Sequence, residues 1–156
     1  MKADVVVVNH HLFFADLGVR GITLCDTTGM AYPTQVHQLT AAARVRWPDV
    51  DFTLHFHNTR GMGLANVLAA VQGGITRLDG SLGGLGGCPY APGASGNICS
   101  EDAIHMLDAM GYDTGIDLTK LLNVARHLPA IVGHDVPGQV AKAGRITDLH
   151  PAPAKS

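Results

Sequence analysis

Two histidines one residue apart, His55 and His57, lie in the alternating run Phe52-Thr53-Leu54-His55-Phe56-His57. In a β-strand, residues i and i+2 project from the same face, so the two imidazoles can converge on one point. Such a pair either ligates a metal or forms two hydrogen-bonded histidines in a polar mouth. Further along comes Leu82-Gly83-Gly84-Leu85-Gly86-Gly87-Cys88-Pro89-Tyr90-Ala91-Pro92-Gly93-Ala94-Ser95-Gly96-Asn97. It holds too much glycine and proline for a helix or strand interior. One thiol, Cys88, stands at its middle, and one carboxamide, Asn97, stands at its far end, just before a helical pattern. A histidine pair facing such a loop suggests a metal site under a mobile cover.

The flanking segments read as the supports of that site. Residues 21–26 form a strand ending in Asp26, followed by the loop Thr27-Thr28-Gly29-Met30 and a helix opened by Pro33, whose missing N–H costs nothing there. Trp47-Pro48 ends that helix. A strand over 51–57 follows, then the loop Asn58-Thr59-Arg60-Gly61 and a second helix with Leu64, Val67, Leu68 and Val71 on its apolar face, stopped by Gly73-Gly74. A third strand over 75–79 ends in Asp79, expected to be structural, and leads into the glycine-rich loop. Ser100 is the expected N-cap of a helix to about residue 110, with Glu101 and Asp102 in its first turn. Asp117 caps another helix that runs until Pro129. The segment from Gly133 onward is expected to cross the surface and fray at its end. Strand, loop and helix in repetition specify βα units with a parallel sheet. In such folds the polar residues at the C-terminal strand ends build the active site.

Composition narrows the function classes. With 156 residues and a formal charge of −2, the chain fits one ordinary soluble domain. Balanced charge argues against a general nucleic-acid surface, which needs a concentrated basic stripe. Three cysteines, Cys25, Cys88 and Cys99, without CxxC spacing, argue against a disulfide framework or structural zinc and for a reducing cytoplasm. The apolar start of the chain holds two histidines and too few apolar residues to span a membrane, and it lacks a cleavage motif. Neither a secretion signal nor a membrane anchor is expected.

The glycine-rich loop, from Ser81 to Asn97, resembles the signature loop of the hydroxymethylglutaryl-CoA lyase family. His55-Phe56-His57-Asn58-Thr59-Arg60-Gly61 is similar to that family's histidine motif, and Leu24-Cys25-Asp26-Thr27-Thr28-Gly29 to its preceding acidic strand end. The resemblance covers residues 18–145 in order and spacing. It implies the C-terminal portion of a (β/α)8 TIM barrel, about three βα units plus C-terminal helices. The implied reaction is a retro-aldol-type cleavage of 3-hydroxy-3-methylglutaryl-CoA to acetoacetate and acetyl-CoA, as in leucine degradation. A divalent cation, Mg²⁺ or Mn²⁺, would chelate the substrate's hydroxyl and a neighbouring oxygen. Carried over, His55, His57 and Asn97 become metal ligands, Cys88 the proton donor of the closing loop, and Asp26 an aid to deprotonation. Gly84, Gly86 and Gly87 become the pivots of the substrate loop. Read without the resemblance, Cys88 is a small buried hydrophobe and Asp26 a helix N-terminal acid. Cys25 and Cys99 are expected to be buried and inert.

Asn58 stands where the resemblance leads one to expect aspartate. The family's metal-binding aspartate with its following Arg-Glu pair has no counterpart before Gly18, and a full barrel needs ~250 residues. The resemblance therefore implies an incomplete barrel with weak metal binding and poor turnover, one that associates with itself or with another barrel-completing chain. Residues 1–17 instead resemble a short segment of XPD-like DNA helicases, a valine-rich run leading into Asn9-His10-His11-Leu12-Phe13-Phe14. They carry no nucleotide-binding motif, so this stretch is expected to be a foreign leader, and residues 146–156 a flexible tail. Two alternatives stand beside the lyase: a non-catalytic metal- or acyl-CoA-binding module, and a related aldolase or acyl-CoA-dependent synthase.

Overall fold

Alternating burial along the strands decides which face of the sheet is covered. In β1 (Gly21–Cys25) and β2 (Asp51–His55), Ile22, Leu24, Phe52 and Leu54 are buried, while Gly21, Cys25 and Asp51 remain exposed. The computed structural model describes residues 20–87 and 93–149. Together with β3 (Arg77–Asp79), the strands form a parallel sheet in the order β1-β2-β3. Its register sets Cys25, His55 and Asp79 side by side in one row, and Thr23, Thr53 and Arg77 in the row two residues earlier, on the same face.

Helix α1 (Pro33–Arg46) connects β1 to β2, and α2 (Gly63–Gln72) connects β2 to β3. Both pack on the apolar face, where Val36, Ala43, Val67 and Ala70 join the strand residues and Phe56 in one core. The two helices approach closely at Gly73, where a Cβ would lie 2.3 Å from Thr40 Oγ1. Thr40 is fully buried and turns its hydroxyl back to Val36 O at 2.9 Å, so its polarity is satisfied within α1. Beyond the sheet come α3 (Ser100–Ala109), α4 (Leu118–Ala125), α5 (Leu128–Val132) and α6 (Val140–Ala143). Ile104, Leu118, Leu122 and Val140 form a second, smaller core among them.

These elements match the expected βα alternation, with four local corrections. Ile75 does not open the third strand; its N–H closes α2 on Ala70 O at 3.0 Å, and pairing starts only at Arg77. Ser100 is not the N-cap of α3, because Cys99 occupies that position and no side chain caps the helix. Pro129 does not stop the fourth helix; α4 ends at Ala125, and Pro129 lies in the first turn of α5. The segment after Gly133 is not merely superficial. Val136 and Val140 are buried, and the Asp102 carboxylate accepts the N–H groups of Gln139 and Val140 at 2.7–3.0 Å. Asp117 caps α4 as expected, accepting from Lys120 N at 3.1 Å. Among the described residues no helix is long and apolar enough to cross a membrane.

Candidate active site

His55 closes β2 and His57 lies two residues beyond it, where the chain leaves the sheet and meets the far end of the glycine-rich loop. His57 and Asn97 form an isolated antiparallel bridge, flanked by Ile98 N–H to Phe56 O at 3.0 Å and Asn58 N–H to Gly96 O at 3.1 Å. The residue paired with His57 is thus the carboxamide singled out from the sequence. The two imidazoles stand edge to face with ring centroids 4.9 Å apart.

Each ring is held through Nδ1. His57 Nδ1 lies 2.7 Å from the carbonyl oxygen of Asp26, which can only accept, so Nδ1 carries the proton and Nε2 the lone pair. His55 Nδ1 is hydrogen-bonded to the Asp79 carboxylate. Asn97 donates Nδ2 to Leu85 O at 2.8 Å, which fixes the amide's orientation and identifies Oδ1 as its acceptor atom. His57 is buried, and the His55 side chain is 23% exposed.

Asp26 divides its carboxylate. Oδ1 accepts from Met30 N at 2.8 Å, the local capping expected of an acid before a helix. Oδ2 is buried without a hydrogen-bond partner. A buried carboxylate oxygen with free acceptor capacity can still take a hydrogen bond or a proton. Arg60 clamps the same loop through Thr28 O and Gly29 O, both at 3.0 Å. A cleft of about 450 Å³ opens beside Asp26 between the end of β1 and α1, with Leu24, Met30, Tyr32, Leu39 and Phe56 in its walls.

The glycines of the loop serve close packing around Asn97. At Gly86 a Cβ would stand 2.7 Å from Asn97 Nδ2, and at Gly84 one would stand 3.3 Å from Asn97 O; both have positive φ. Gly87 lies beside Ala94. Cys88, expected in the closing loop, lies outside the described residues. Behind the loop, Glu101 is fully buried, and both its carboxylate oxygens accept from Gly83 N at 3.0 Å. Residues read from the sequence as a helix's favourable acidic turn therefore fasten the loop (Glu101) and the C-terminal segment (Asp102). Their side-chain partners are distant in sequence, so no local signal announces them.

The cysteines divide. Cys99 is buried, and its thiol is pushed far above the ordinary range by desolvation, reinforced by a hydrogen bond with Glu101. Cys25, expected to be buried, is exposed, because it ends β1 on the uncovered face of the sheet. Desolvation, then the Asp79 charge, still raises its thiol pKa.

Among the described residues no three His, Cys, Asp or Glu side chains form a cation site by themselves.

Comparison with known proteins supplies the family. The HMGL-like family matches residues 3–128. That span takes in most of the stretch 1–17, whose likeness to a helicase segment finds no support in these comparisons. The chain is 51% identical over 131 residues to an (R)-citramalyl-CoA lyase of Chloroflexus aurantiacus, covering 84% of this chain and 41% of that protein. It is 44% identical over 136 residues to a hydroxymethylglutaryl-CoA lyase of Bacillus subtilis, covering 87% of this chain and 45% of the relative. The structure of a hydroxymethylglutaryl-CoA lyase from Acinetobacter baumannii, in complex with coenzyme A and 3-methylmalate, superposes with a TM-score of 0.87 at 54% identity. It covers 94% of this chain, which spans 48% of that one. The chain thus spans less than half the length of the relatives it matches, and its three βα units and C-terminal helices are a portion of their barrel. On that family match, which spans most of its residues, the chain belongs to the HMGL-like family.

Proposed function

We propose that this chain is the C-terminal portion of a divalent-metal-dependent lyase that cleaves a 3-hydroxy-3-methyl acyl-CoA between C2 and C3. The carrying observation is the pair of histidines tied through Nδ1, with Asn97 opposite His57. The donor set fits a divalent cation: His55 and His57 would each bind it through Nε2 and Asn97 through Oδ1, a mixture suited to Mn²⁺ and tolerable for Mg²⁺. Such a cation, when bound, lowers the pKa of the substrate's tertiary hydroxyl and holds it beside a neighbouring oxygen. Asp26 Oδ2 receives the proton that the hydroxyl loses. As the carbonyl forms at C3, the C2–C3 bond breaks and its electrons pass to the thioester enolate. Cys88, in the closing loop, returns a proton to that carbon. Loop closure over Gly84, Gly86 and Gly87 excludes water from the enolate.

The substrate we favour is 3-hydroxy-3-methylglutaryl-CoA, giving acetoacetate and acetyl-CoA, as in leucine degradation, in the cytoplasm. A second reading, citramalyl-CoA giving pyruvate and acetyl-CoA, is favoured by the 51% identity to a lyase of that name. A cation held by His55, His57 and Asn97 alone lacks a carboxylate ligand. Strands that complete the barrel, in the same protein or in another chain, supply it, so the 156 residues alone bind metal weakly and turn over slowly.

Supplying Mn²⁺ and each acyl-CoA in turn, then measuring acetoacetate and pyruvate separately, tests the reading. Slow release of one keto acid, abolished by His55→Ala, is expected. Turnover that survives His55→Ala would overturn the assigned site, and turnover matching a full-length lyase would overturn the missing ligand.

A further inference from the structure

We propose that Asp79 is the positioning residue that orients His55 toward the cation, an inference that rests on the metal-dependent reading above. In the sheet Asp79 is the register partner of His55, so the backbone of β3 delivers it beside the imidazole. Its carboxylate then accepts a hydrogen bond from the Nδ1–H of His55. The Asp79 side chain is 49% exposed, so as an ordinary surface ion pair it would contribute little to stability.

What separates it from a surface pair is the parallel with His57. Both imidazoles are fixed through Nδ1, and both therefore present Nε2, but by different acceptors. His57 leans on a neutral backbone carbonyl, which sets orientation and tautomer only. His55 leans on a carboxylate, which sets both and also makes the ring a stronger donor. Asp79 thus adds one negative charge next to a site whose three donors from this chain are all neutral. Cys25, the register partner on the other side of His55, carries no compensating acceptor charge. Replacing Asp79 should therefore alter the metal more than the fold.

Two measurements on the full 156-residue chain decide the proposal. Long-range ¹⁵N–¹H spectra without metal, with His55→Gln as the assignment control, report the tautomer. His55 is expected to be protonated at Nδ1 in the wild type and to shift toward the Nε2-protonated form in Asp79→Ala. Titration with Mn²⁺, followed by the electron paramagnetic resonance of the free ion, reports affinity, with circular dichroism checking the fold. Asp79→Ala should weaken binding about ten- to hundred-fold, and Asp79→Asn, which keeps an acceptor oxygen and loses the charge, by less. Wild-type binding matched by both variants would overturn the proposal while leaving the metal reading intact. No binding by the wild type, equal to that of His57→Ala, would overturn the metal reading and the proposal with it. An unchanged tautomer in Asp79→Ala would overturn the orienting role.

Discussion

Asn97 is held in place by residues that lack side chains. Gly96, immediately before it, has φ of 106°, and a Cβ there would stand 2.2 Å from Gly84 O and 2.6 Å from Gly86 O. Neither contact can be relieved by a rotamer change, since both are to backbone. Gly96→Ala should therefore cost more than about 1 kcal/mol and should weaken metal binding with it, as read by urea unfolding and Mn²⁺ titration. Cys99 gives a pH signature. Its folded-state pKa lies well above the ordinary 9.0, so at high pH the unfolded chain releases a proton that the folded chain retains. Stability from this group is present below pH 9 and falls as pH rises beyond it, by about 1.4 kcal/mol per pH unit. Unfolding at pH 8 and 10 should show that loss in the wild type and less of it in Cys99→Ala.

At the scale of elements, two carboxylates at the start of α3 connect the site to the rest of the fold. Glu101→Ala would leave Gly83 N–H without its acceptor and should destabilise the protein by about 1–3 kcal/mol. Phe52→Ala, on the covered face of β2, should cost about 3–5 kcal/mol by opening the main core. Thermal unfolding measures both losses, and limited proteolysis separates them, since the Glu101 variant alone should raise cleavage within the glycine-rich loop. The strands and helices around these residues were legible because their signals are local: alternation at 52–57, Pro33 at a helix start, Gly73-Gly74 at a helix end. The roles of Glu101, Asp102 and Asp79 were not, because each is defined by a partner distant in sequence. Val136 is buried within a stretch whose composition reads as surface, again through partners distant in sequence, whereas Pro129 sits in the first turn of α5, where its missing N–H costs nothing.

At the scale of the whole molecule, the sheet among the described residues is covered by helices on one face. Thr23, Cys25, Thr53, His55, Arg77 and Asp79 lie on the face away from the helices, with Arg77 paired to Asp51 at 3.0 Å. Among the described residues, β1 and β3 pair on one side only. Unpaired edges of this kind recruit further strands. Sedimentation velocity of the chain alone should therefore show association that grows with concentration, and a strictly monomeric chain would contradict this. The histidine spacing and the Ser81–Asn97 loop point to family and fold class, whereas the division of Asp26, one oxygen bonded to Met30 N–H and the other buried without a partner, is set by tertiary packing.

The most direct test of the central claim is Mn²⁺ binding by the wild-type chain, His57→Ala and Asn97→Ala, each checked for an unchanged circular dichroism spectrum. The account predicts weak but measurable binding by the wild type, reduced in both variants by at least the roughly tenfold that loss of even an outer partner brings. Equal binding by all three would mean that these residues do not hold the cation, and the site would have to be sought elsewhere.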